Sequence, residues 1–133
     1  MRWTLIVLAV IVLASAGLYV FSRLRGGAAQ ADPDALVIAQ LREAGADLAK
    51  PHLVEFFLYL PTEEAARQAA DRLRQRGGEV SVRLGADETS WLCLLTKRMV
   101  PDHAAIRQEG VILSAVASEL GGDYDGWGAE VVQ

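Results

Sequence analysis

The spacing of polar and apolar positions divides the chain into two regimes. From Thr4 to Phe21, eighteen residues run without a charge (TLIVLAVIVLASAGLYVF), and no period separates one face from the other. At a helical rise of 1.5 Å per residue this run reaches about 27 Å, close to the hydrocarbon thickness of a bilayer. It is therefore expected to form a transmembrane helix or the apolar part of a signal peptide. From Asp32 onward the pattern becomes periodic and punctuated.

Asp32-Pro33-Asp34 supplies an acidic cap and a proline in a first turn. Leu36, Val37, Ala39, Leu41 and Ala44 follow before Gly45, which predicts a short amphipathic helix. Between Pro51 and Pro61, the run His52–Leu60 is apolar at both parities and predicts a central strand. Thr62-Glu63-Glu64 begins a second helix with Ala66, Ala69, Ala70 and Leu73 on one face, stopped by Gly77-Gly78. Glu79–Leu84 alternates with a period of two, Gly85–Glu88 turns, and Ser90–Thr96 forms a more uniformly apolar strand. Pro101-Asp102 opens a third helix from His103 to about Leu120. Its expected stripe is Ile106, Val111, Leu113, Val116, Ala117 and Leu120, and Gly121-Gly122 is its stop. A short strand over Trp127–Val132 ends the chain. This order predicts an α+β domain, a ferredoxin-like βαββαβ sandwich with a leading helix, in which both later helices cover one face of a four-stranded antiparallel sheet.

Composition sharpens the division. The hydrophobic share is 52%, and the excess lies in the first segment. Two small-x-small sites, Ala14-Ser15-Ala16 and Ala29-Gln30-Ala31, fit a signal cleavage site poorly, the first cutting inside the apolar run and the second lying beyond Arg23 and Arg25. The expectation is an uncleaved anchor or signal segment over 1–25, a linker over 26–33 and one domain over 34–133. Arg23, Arg25 and Arg42 outweigh Arg2 slightly, which places the domain in the cytoplasm, with a periplasmic or secreted domain as the alternative. Beyond residue 31 there are 10 lysines and arginines against 17 acids, a formal charge of −7. Such a domain repels a phosphate backbone and attracts basic partners, so nucleic acid is not an expected direct ligand.

Candidate chemistry is sparse. His52 and His103 read as a surface strand end and a first-turn helical residue, and Cys93, inside WLCLL, reads as an inert small hydrophobe. The single cysteine excludes a disulfide scaffold and a four-cysteine zinc site. No nucleophile elbow, phosphate loop, zinc-protease helix or dinucleotide fingerprint occurs, so no catalytic residue, metal or cofactor is expected. Asp123-Tyr124-Asp125-Gly126 begins like a calcium loop, but Trp127 stands where an oxygen donor belongs. Arg67, Arg72, Arg74 and Arg76, with Lys97 and Arg98, are interleaved with Glu63, Glu64 and Asp71 and read as a paired, solvated face. Asp123, Tyr124, Asp125, Gly126 and Trp127 gather two acids and two aromatics. They are the candidate partner-binding residues, and packing of the aromatics under the sheet is the structural alternative.

Several of these pieces together carry a resemblance: Gly45-Ala46-Asp47-Leu48, the strand Val54–Leu60, the alanine-rich helix ending at Gly77, Met99 with Pro101, and above all Tyr124-Asp125-Gly126-Trp127. Over about Asp34 to Val131 the chain resembles the regulator of ribonuclease activity B family. The resemblance implies a small, non-catalytic ferredoxin-like protein that binds ribonuclease E and inhibits its cleavage of RNA. The apolar leader and Gly128, where an acid is expected, depart from the family's pattern. They keep open an alternative, an exported or envelope-bound interaction module that reuses the fold.

Overall fold

The computed structural model describes residues 6–13, 17–24 and 32–133. Its strands are β1 (Ile6–Leu13), β2 (Gly17–Leu24), β3 (His52–Leu60), β4 (Glu79–Leu84), β5 (Trp91–Met99) and β6 (Asp123–Glu130). Its α-helices are α1 (Pro33–Glu43), α2 (Glu63–Leu73) and α3 (His103–Glu119), and a single 3₁₀ turn, Arg74–Arg76, extends α2. The strands form one antiparallel sheet in the order β1-β2-β6-β3-β5-β4. Within it, β6-β3-β5-β4 is the expected ferredoxin-like arrangement.

Local chemistry explains most boundaries. Asp32 caps α1 by accepting from the backbone N–H groups of Asp34 and Ala35, and Pro33 occupies the first turn. Thr62 and Asp102 cap α2 and α3 in the same way through Ala65 and Ala105. At the far ends of α1 and α3 the two residues after the cap fold back as paired 6→1 and 5→2 bonds. Ala46 and Gly45 bond to Leu41 and Arg42, and Gly122 and Gly121 bond to Ala117 and Ser118.

The core lies on one side of the sheet. Val54, Phe56, Leu58 and Leu60 of β3 point at the helices together with Cys93 and Leu95 of β5 and Trp127 and Ala129 of β6. Ala66, Ala69, Ala70 and Leu73 of α2 meet them, and α3 brings Ile106, Leu113 and Ala117. The alanines let α2 sit close over β4 and β5, while α3 covers β6 and β3.

Several expectations change. Where the run Thr4–Phe21 is described it forms strands and not a helix: β1 and β2 pair with each other, and β2 pairs with β6 over Tyr19–Arg23. Among the described residues no helix is long and apolar enough to cross a membrane. Hydropathy ranks transfer from water but not backbone conformation, and a run rich in Val, Ile, Leu and aromatics is as compatible with strands as with a helix. Of the expected linker, residues 26–31 lie outside the described residues, whereas Asp32 and Pro33 belong to the start of α1. His52 is buried rather than at the surface because it shares the inward parity of Val54 and Phe56. The last strand begins at Asp123, four residues before the expected start.

Candidate functional site

The early start of β6 builds the site. Phe57 pairs with Gly126, but the next residue, Leu58, pairs with Tyr124, so Asp125 is an extra residue on β6. This β-bulge breaks the two-residue alternation. Tyr124 and Trp127, three apart in sequence, therefore face the same side of the sheet, opposite Leu58 and Phe56. Gly126 has φ +116°, a conformation strained for a residue with a side chain, and so supplies the backbone that the bulge needs.

Each aromatic has a made place. Trp127 is 1% exposed, so it belongs to the core, and its Nε1–H donates to Asp34 Oδ1 at 3.0 Å. The Tyr124 ring lies against Gly110 of α3, where a Cβ would come within 3.3 Å of its Cε2. A glycine inside a helix is unfavourable relative to alanine, and here it provides space for the ring. The Tyr124 hydroxyl is buried without a hydrogen-bond partner among the described residues, and burial pushes its pKa strongly up, helped by the carboxylates of Asp34, Glu109 and Asp125.

Beside these residues runs a groove of about 560 Å³. Pro33 and Asp34 form one wall, and Tyr124, Gly126 and Trp127 form the floor. The other wall is one face of α3, from Arg107 through Val111 and Ser114 to Ser118. Burial raises the Asp34 carboxyl above the usual range, and the nearby charge of Asp32 adds to this against the opposing Trp127 hydrogen bond. At Asp32 burial also acts against the charge, but the His103 hydrogen bond and the two capping N–H groups outweigh it and hold the carboxyl low. His103 Nε2 lies 2.6 Å from Asp32 Oδ2, tying the first turn of α3 to that of α1, and Arg107 stands 3.9 Å from the same oxygen.

The remaining candidates are structural. Cys93 is buried in β5 and its thiol is pushed up to about 11 by that burial, which suppresses the reactive thiolate. The His52 ring Nδ1 lies 2.8 Å from the Lys50 carbonyl, so the two histidines answer to separate partners. Asp123 and Asp125 lie in a strand, and among the described residues no group of three or more His, Cys, Asp or Glu is placed to hold a metal. Arg67, Arg72 and Arg74 pair with Glu63, Glu119 and Asp71. Arg76 makes two bonds to Glu109 at 2.9 and 3.1 Å, with Lys97 at 3.5 Å. Glu109 is 6% exposed, and these two cations hold its carboxyl below the usual range although burial alone would raise it.

Of the five partner-binding candidates, then, Tyr124, Gly126 and Trp127 line the groove, while Asp123 and Asp125 flank it along β6. The sequence does not mark Arg107, Gly110, Ser114 or Ser118 for a site, and it reads Asp34 as part of a helix start and Val111 as part of a core stripe. The one signal in the sequence is a glycine inside a helix; Val111, expected in the core stripe, is 65% exposed in the fold.

The matches to known proteins fall on this architecture. No curated protein matches the chain. The family model described as regulator of ribonuclease activity B matches residues 31–129, which takes in the capped start of α1, the groove and nearly all of β6. With most of its length accounted for in this way, the chain belongs to the regulator of ribonuclease activity B family.

Proposed function

We propose that the protein binds a ribonuclease of the ribonuclease E type and inhibits RNA cleavage without catalysing a reaction itself. In this reading the run Thr4–Phe21 holds it at a membrane, with the domain on the cytoplasmic side. The observation that carries the ribonuclease reading is the family match over residues 31–129. Charge supports it: a domain at −7 has the sign needed to approach the basic, RNA-binding surface of a nuclease. The partner-binding residues of this reading are Asp123 to Gly126 together with the groove, whose floor the buried Trp127 supports. Tethering is supported by the eighteen uncharged residues, and orientation by Arg23, Arg25 and Arg42 against Arg2.

The test is RNA cleavage by purified ribonuclease E with full-length protein in lipid nanodiscs. Cleavage is expected to slow as protein is added, and the effect to weaken as salt rises. Unchanged cleavage together with no co-purification at any salt concentration rejects the reading. A second reading, an exported or envelope-bound module with another partner, rests on the apolar leader itself, which departs from the family's pattern. Protease added to intact cells separates the two: the proposal requires protection until the membrane is opened, and the alternative requires digestion without opening.

A further inference from the structure

We infer that the groove between α3, the start of α1 and β6 receives an arginine or lysine side chain from a short, apolar-flanked segment of a partner protein. The inference rests on the regulator reading for the identity of that partner, but not for the chemistry of the groove.

The cavity, about 560 Å³, is in the size range of built ligand sites. Its floor holds a polar group without a job in the free protein, since the Tyr124 hydroxyl is buried and has no hydrogen-bond partner among the described residues. Most buried hydroxyls are satisfied, and one that is not calls for an explanation. The acids around it narrow that explanation. Asp34, Glu109 and Asp125 all act electrostatically on the phenol. Glu109 is already matched by Arg76 and Lys97, and Asp32 by His103 with Arg107 nearby. Asp34, in the groove wall, has the neutral Trp127 indole as its hydrogen-bond partner and no ion pair among the described residues. A guanidinium or ammonium group placed between Asp34 and Tyr124 can donate to both and give Asp34 a counter-charge. Arg107, in the lining, stands 3.9 Å from Asp32, and it and His103 reach Asp34 only as charges at longer range, without an ion pair among the described residues.

The walls fit a peptide around that side chain. Ser114, Ala115 and Ser118 are small, so a main chain can lie close to α3, and Val111 offers an exposed apolar contact. From Arg107 to Ser118 the helix advances about 16 Å, the span of roughly five extended residues.

The experiment titrates isotope-labelled full-length protein with the blocked peptide Ala-Leu-Arg-Leu-Ala and with its counterpart Ala-Leu-Glu-Leu-Ala. The arginine peptide is expected to shift the Trp127 indole N–H and the Ser114 and Ser118 amides, and the glutamate peptide to leave them in place. Asp34→Asn and Tyr124→Phe should each weaken binding by about tenfold. Tyr124→Phe should also keep or raise the melting temperature, because the hydroxyl it removes has no hydrogen-bond partner among the described residues. Equal binding of both peptides, shifts confined to another face, or undiminished affinity in Tyr124→Phe overturns the inference. Ala115→Trp, which fills the groove from an exposed helix position, separates this idea from the regulator reading. If it still inhibits ribonuclease E at full strength, the groove is not the docking site although the regulator reading stands. If the arginine peptide binds the groove but no ribonuclease is inhibited, the groove stands and the regulator reading falls.

Discussion

Asp32 and Asp34 stand two positions apart in the first turn of α1, yet their surroundings shift them in opposite directions. The Asp32 carboxyl is lowered in the fold, so its contribution to stability is fully present above its unfolded pKa, about 4, and is lost as the pH falls through the lower folded value. Asp34 is raised, so its ionised form is the disfavoured one, and the resulting destabilisation is present at neutral pH and relieved on acidification. Asp32→Asn should therefore lower stability at neutral pH and flatten the loss toward acid. Asp34→Asn should leave neutral stability unchanged or improved, because asparagine can still accept from the Trp127 indole. Urea unfolding across the range from about pH 3 to 7 checks both signs. A residue kept at some expense of stability beside a groove is the pattern expected of a functional group rather than a packing one.

At the scale of the element, β6 depends on Gly126. Alanine there must adopt φ +116°, and the expected loss is about 1–3 kcal/mol in denaturant unfolding, with the Tyr124 and Trp127 signals disturbed before those of β4. The same strand shows where sequence reading stops. β3 and β4 begin and end where prolines and glycines said they would, because a proline at each end and strict alternation leave little choice. Asp123, Asp125 and Gly126 are poor strand formers, so the segment falls outside the expected last strand. Only the pairing with β3 converts it into a bulged strand. The five partner-binding candidates were legible as a motif, but not their arrangement, since a period of two puts Tyr124 and Trp127 on opposite faces. The α3 wall was hidden differently: Gly110 and Val111 look like imperfections in a core stripe until the strand beneath them is known.

For the whole molecule the question is the sheet edge. β2 occupies the side of β6 over Gly126–Glu130 that the four-stranded arrangement alone would leave open. A fragment of residues 32–133 should consequently melt at a lower temperature than the full chain and associate with itself as its concentration rises, because unpaired strand edges seek partners. Calorimetry and sedimentation of the two forms, side by side, check this. Identical melting and a monomeric fragment would mean that β2 contributes nothing to the domain. The sequence of the first segment, apolar at every position of β1, also makes it the part of the chain most readily taken up by lipid.

Those two capacities are exclusive. The backbone groups of Tyr19–Arg23 that are bonded to β6 cannot at the same moment close the intramolecular ladder of a bilayer helix. On the proposed membrane reading, lipid and β6 would therefore compete for one stretch of chain. By linkage, whatever tightens the sheet at Gly126–Glu130 weakens membrane partition by an equal factor, and whatever draws the segment into lipid frees an edge beside the groove.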